Sequence, residues 1–118
     1  MIKTHDLLIG MVYFLIGHFF VFYQLNGQFI WKSFVKYEWL VAAGGFFISF
    51  MFIWGTKNVV SGMDGVFWPA RFIGFGIGTL IYAALVNIHF SEGINIKTGI
   101  SLLLSATLIA IQVLWKID

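Results

Sequence analysis

Four long apolar stretches alternate with short polar ones along the chain. The first, "LLIGMVYFLIGHFFVFYQL", runs from Leu7 to Leu25 and stops at Asn26-Gly27. A bilayer span takes roughly 20 mostly apolar residues, so a first helix is predicted over about Leu7–Leu25. The segment "NGQFIWKSFVKYE" follows and reads as a loop. A second helix is predicted over about Trp39–Gly55, and "TKNVVSGMDG" after it reads as a second loop. A third helix covers about Phe67–Phe90. Pro69 stands in its first turn, where a missing N–H leaves no helical bond unmade. A fourth covers about Lys97–Trp115. The connection between the last two is a tight hairpin: Gly93 accepts a positive φ without steric cost, and Asn95 is placed to cap the fourth helix.

Trp31, Tyr37, Trp39, Trp54, Trp68 and Trp115 fall near the ends of these stretches. Aromatic rings collect at the two headgroup levels of a bilayer, so their positions support the same four spans. Composition agrees. The 118 residues are 60% hydrophobic and 10% charged, with a mean hydropathy of +0.94. Soluble domains are nearer half apolar and a quarter charged, and so short a chain cannot hide this much apolar surface in its own core. The fold class is therefore all-α: one integral membrane domain over residues 1–118, a bundle of four transmembrane helices with membrane lipids as its surroundings. The start, "MIKTHDLLIGMVYFLIGHFF", has one Lys, an acid beside the apolar run and no small-residue cleavage site before Gln24, so it reads as a retained helix rather than a signal peptide. The absence of cysteine excludes disulfides and thiolate metal sites. A net charge of +2 without a basic cluster gives no ground for nucleic acid as a partner. No nucleophile–base pair, paired carboxylates or metal-ligand spacing stands out, so neither an enzyme nor a cofactor is expected. "GFGIG", Gly74 to Gly78, lies inside an apolar span with no strand before it and is not a phosphate loop.

Four spans put both termini on one side, with Lys3, Lys57, Arg71 and Lys116; Lys32, Lys36 and Lys97 fall on the other. Positive charge orients helices by its imbalance, and four against three is nearly balanced. Two readings follow: copies insert both ways and pair antiparallel, or a slight bias or a partner fixes one orientation. Small residues add a related choice. Gly10 and Gly17 punctuate helix 1, Gly74 and Gly78 lie four apart in helix 3, and so do Ser101 and Ser105, then Ala106 and Ala110, in helix 4. Such spacing lets helices approach closely in lipid, either within one chain or across a homodimer.

The polar candidates inside the spans are few. His18 lies deep in helix 1, where an ionisable group either marks a pathway or bonds a neighbouring helix. Asp6, Gly10, Tyr13, Gly17 and Gln24 share one face of that helix, with His18 at its margin. This face reads as the wall of a polar groove at a dimer centre or as a packing face toward the other helices. Arg71, one turn into helix 3, either holds an acidic group or snorkels to the headgroups, with Asp64 as a partner. Asn87, His89 and Glu92 near the end of helix 3 suggest a metal or proton site, or plain interface polarity. Trp54, Tyr82 and the Phe residues are suited to stacking on an aromatic cation, or to lipid.

The last hairpin, "FSEGINIKTGISLLLSATLIAIQVLW" together with helix 3, resembles the drug/metabolite transporter superfamily over Phe67–Trp115. Four short helices resemble its smallest branch, the small multidrug resistance type. That resemblance implies an antiparallel homodimer in a bacterial inner membrane that moves a small amphiphilic or cationic molecule. The branch carries a membrane-embedded Glu in helix 1, and here Tyr13 and Phe14 occupy that turn. No Asp or Glu lies within any predicted span, which sets aside the family's usual proton-coupled mechanism. The expected function is a small transporter-like protein with His18, Tyr13 and Arg71 as its best polar groups. The alternative is a non-transporting accessory or scaffold subunit of a larger membrane complex. A channel has little support, because no span carries a polar stripe long enough to cross the membrane.

Overall fold

A computed structural model describes residues 2–115. The fold is all-helical, with no strand among the described residues: α1 (Thr4–Asn26), a 3-10 turn (Gly27–Phe29), α2 (Lys32–Lys36), α3 (Glu38–Ala43), α4 (Gly45–Gly62), α5 (Trp68–Phe90) and α6 (Ile96–Leu114). Backbone hydrogen bonds run on across Gly44, so α3 and α4 form one near-continuous rod. Four segments are long and apolar enough to cross a membrane: Thr4–Phe29, Glu38–Gly62, Trp68–Phe90 and Ile96–Leu114. The protein is thus an integral membrane protein. Lys116, one of the charges counted for orientation, lies outside the described residues.

Two predicted loops are largely helical. Residues 26–38 fold as the 3-10 turn and α2, with the Phe34 ring lying on Gly27; a Cβ there would meet the ring at 2.5 Å. The second helix does not stop at Gly55 but continues to Gly62. Its polar residues find partners without breaking the helix. Asn58 Nδ2 donates to the Trp54 carbonyl at 2.8 Å, and Ser61 reaches across to α1. Val59 meanwhile is wholly buried. Lys57 consequently sits on the exposed side of a helix rather than in a loop. The turn into α5 is short, with Asp64 and Gly65 both at positive φ (58° and 81°).

The last hairpin forms as its residues predict. Ser91 and Gly93 take positive φ, 51° and 82°. Asn95 Oδ1 accepts from the Thr98 N–H at 2.8 Å, satisfying one donor that the helix start would leave open. Asn87 Oδ1 accepts from the Gly93 N–H at 2.9 Å and ties the turn back to α5.

The helices form an open bundle close to a row. α1 packs between α4 and α5, while α6 packs on α5. The Cα atoms occupy a slab of 52 × 36 × 18 Å. The core, Leu7, Phe14, Val59, Ala70, Ile73 and Ile77, sits where α1, α4 and α5 meet. Most large apolar side chains, such as Leu8, Phe46 and Leu103, face outward, as lipid allows. Lipid tails are as apolar as leucine, so helix association here rests on close packing and hydrogen bonds rather than on escape from water.

Candidate functional site

The polar face of α1 packs against α4 along one antiparallel seam, and partner numbers fall as α1 numbers rise. Ser61 Oγ donates to Asp6 Oδ2 at 2.7 Å, with His5 Nδ1 3.7 Å from the other carboxylate oxygen. Gly10 meets Val59 and the Gly55 carbonyl. The Tyr13 ring lies 5.7 Å from that of Trp54. Gly17 meets Met51 and Phe52. Gln24 Nε2 donates to the Val41 carbonyl at 3.3 Å.

Glycines on both helices bring the backbones together. A Cβ on Gly10 would stand 2.7 Å from the Val59 nitrogen and 2.8 Å from the Gly55 oxygen; one on Gly62 would stand 2.6 Å from the Leu7 nitrogen. The Lys3 N–H donates to the Gly62 carbonyl at 2.8 Å and closes the end of the seam. Gly55 and Gly62 are structural residues that sequence reasoning missed. Their signal was the seven-residue interval, which matches Gly10 and Gly17 run in the opposite direction.

His18 leaves the seam toward α5. Its ring stands edge-on to Phe52, 4.9 Å between centroids. It covers Gly78, where a Cβ would lie 2.5 Å from the imidazole. Gly74 faces the Phe14 ring. Gly76 serves the other neighbour: a Cβ on it would stand 2.7 Å from the Ser105 oxygen of α6. Ser105 is buried there, whereas Ser101, Ala106 and Ala110 are exposed. Arg71 is exposed, and among the described residues it makes no ion pair. Trp54 is 41% exposed and sits at the outer edge of α4 beside Phe50.

The predicted polar residues therefore do not converge. Asp6, Tyr13 and Gln24 are spread along one seam, His18 stands between Phe52 of α4 and Gly78 of α5, and Arg71 is exposed on α5. The residues near the end of α5 divide similarly. Asn87 holds the turn, and His89 Nε2 shares a 2.7 Å hydrogen bond with Tyr23 Oη of α1. Its ring also stacks near Phe22. Among the described residues no group of His, Asp or Glu is placed to hold a metal ion. Tyr23→Phe is expected to cost about 1 kcal/mol, the net value of one hydrogen bond; unfolding in mixed micelles measures it.

Two open grooves flank this framework. One, of about 700 Å³, lies between α1 and α6 and is lined by Leu7, Leu8, Met11, Ala106 and Ala110 among others. The second, of about 500 Å³, lies at the opposite end of α1, where Gln24 and Gln28 meet Phe34, Glu38 and Trp39. Neither a family model, a curated protein nor a solved structure matches the chain.

Proposed function

We propose that the chain is one half of a small transporter-like membrane protein, which pairs with a second copy to bind or move a small amphiphilic or cationic molecule. The shape of the protomer carries this reading. A slab with Cα atoms only 18 Å deep is too thin to surround a path through the membrane, so a second copy supplies the missing wall. α6 suits that contact: only 6% of its apolar window is buried within the chain, against 28% for α1 and for α5. Its exposed Ala106 and Ala110 border the α1–α6 groove, and small residues permit close helix approach in lipid. The nearly balanced lysines suit an antiparallel pair, as does the resemblance of the last hairpin.

A test uses the absence of native cysteine. Single cysteines at Thr4 and Ser33, both exposed, are labelled with a membrane-impermeant reagent in intact cells, and the purified protein is sized by light scattering. Both positions are expected to label in a substantial fraction of molecules, and the protein to run as a discrete dimer. Labelling at one position only, with a monomer in micelles, removes the antiparallel pair.

A second reading, an accessory subunit of a larger complex, draws on a separate observation. The one acid of α1, Asp6, stands in the helix's first turn and accepts from Ser61 in the seam, so no carboxylate lies midway along that helix to couple transport. A chain that is unstable without an unrelated partner favours this second reading.

A further inference from the structure

The groove at the Gln24 end of α1 has a lining unlike the rest of the molecule, and it stands apart from the α1–α6 edge used above. Its polar groups are Gln24, Gln28 and Glu38; Phe34 and Trp39 are its aromatic lining, and Trp39 has the open ring faces, since Phe34 lies on Gly27 and packs 5.0 Å from Trp31. The two amides each commit an N–H to the backbone: Gln24 Nε2 donates to the Val41 carbonyl at 3.3 Å, and Gln28 Nε2 donates to the Leu25 carbonyl at 2.8 Å. Each keeps its side-chain oxygen for an incoming donor. The Glu38 carboxylate is an acceptor, and no cation among the described residues pairs with it. The groove thus offers acceptors and ring faces. An ammonium group bearing N–H donors answers both, through charge-assisted hydrogen bonds and through attraction to the aromatic faces.

Position selects the bearer of that ammonium. Gln28 lies one residue from the end of the first candidate span, and Glu38 is the first residue of the second. Both stand where the hydrocarbon gives way to headgroups, and Trp39, 88% exposed, is the ring type that settles at that level. α2, which contributes Phe34, also carries Lys32 and Lys36, both exposed, as cations suited to a lipid phosphate. We infer that this groove is a binding site for the headgroup of an aminophospholipid, with the lipid ammonium on Glu38, Gln24 and Gln28 beside Trp39.

Native mass spectrometry of the purified protein titrated with phosphatidylethanolamine or phosphatidylglycerol tests this. The ethanolamine lipid is expected to bind about tenfold more tightly, the scale of one charge-assisted contact. Glu38→Gln should bring the two lipids to parity. Glu92→Gln alters another exposed carboxylate at the same end of the helices and should leave the preference intact. Equal binding to the unaltered chain overturns the site, as does a preference that survives Glu38→Gln or one that Glu92→Gln erases equally. Phosphatidylcholine, whose ammonium has no N–H, should bind more weakly than phosphatidylethanolamine; equal binding overturns the hydrogen-bonded pose. Free ethanolamine is expected to leave the bound lipid in place at millimolar concentration, and displacement by it overturns the lipid as occupant.

Discussion

Gly10→Leu is expected to separate α1 from α4 and to cost about 3 kcal/mol, the upper end of the usual range for overpacking a tight contact. The obstacle is backbone as well as side chain: Val59 Cγ2 would stand 2.5 Å away. A bare Cβ at Gly10 would already stand 2.7 Å from the Val59 nitrogen and 2.8 Å from the Gly55 oxygen. Neither atom can move without moving α4. Two further consequences follow from the register. The Asp6–Ser61 hydrogen bond, the Tyr13–Trp54 contact and the Lys3–Gly62 backbone bond all belong to the same seam, so they should weaken together. Gly62→Val, at the far end, should act in the same direction through Leu7. Gly99→Ala is the control: its Cβ would meet only Ile94 Cγ2, at 3.7 Å, and the change should be tolerated. Unfolding in mixed micelles ranks the three variants. A Gly10→Leu protein as stable as the Gly99→Ala one would mean that the seam is not where α1 is held.

Gly76→Leu is expected to release α6 while leaving α1, α4 and α5 together. Gly76 is a point of close approach to α6: a Cβ there would stand 2.7 Å from the Ser105 oxygen and 2.7 Å from Ile109 Cγ1. α6 packs chiefly on α5, so little else would hold it. The cost should again be about 1–3 kcal/mol, confined to one helix pair. Spin labels on the outer sides of α5 and α6 should report a broadened distance, while a pair on α1 and α4 keeps its distance unchanged. Under the dimeric reading, the same substitution also lowers the dimer fraction, because α6 then has no fixed position from which to present Ala106 and Ala110. Unchanged α5–α6 distances would overturn the account of Gly76.

The four spans were legible because lipid imposes a length and a composition on each helix separately, and each can be read without its neighbours. The final hairpin was legible for a related reason: Asn95 caps α6 through a contact three residues away, which is local chemistry. The far end of α4 was not. Thr56, Lys57, Asn58 and Ser61 look like a loop in isolation. They are helical because Gly55, Val59 and Gly62 give that helix a flank that fits α1, and because Asn58 and Ser61 have partners. Neither reason is visible until two distant segments are aligned. The face of α1 is legible as a polar stripe, yet what covers it depends on α4. Arg71 and Trp54 fall on the helices their neighbours dictate, but which way they point depends on packing. The Tyr23–His89 bond joins residues 66 apart, and nothing in either neighbourhood announces it.

The shallow depth of the molecule bears on how it tolerates change. In a closed bundle every helix has an inward side, and replaceable positions are interleaved with constrained ones on all of them. Here, most positions on the broad faces touch only acyl chains, and exchanging one apolar side chain for another there alters little. Constraint is concentrated instead in narrow files where helices meet, where Gly10, Gly17, Gly55, Gly62, Gly76 and Gly78 each admit no larger residue without displacement. A saturation mutagenesis map of this protein should therefore show wide tolerant fields crossed by a few sharp intolerant lines, with the intolerance falling on its smallest residues rather than its largest.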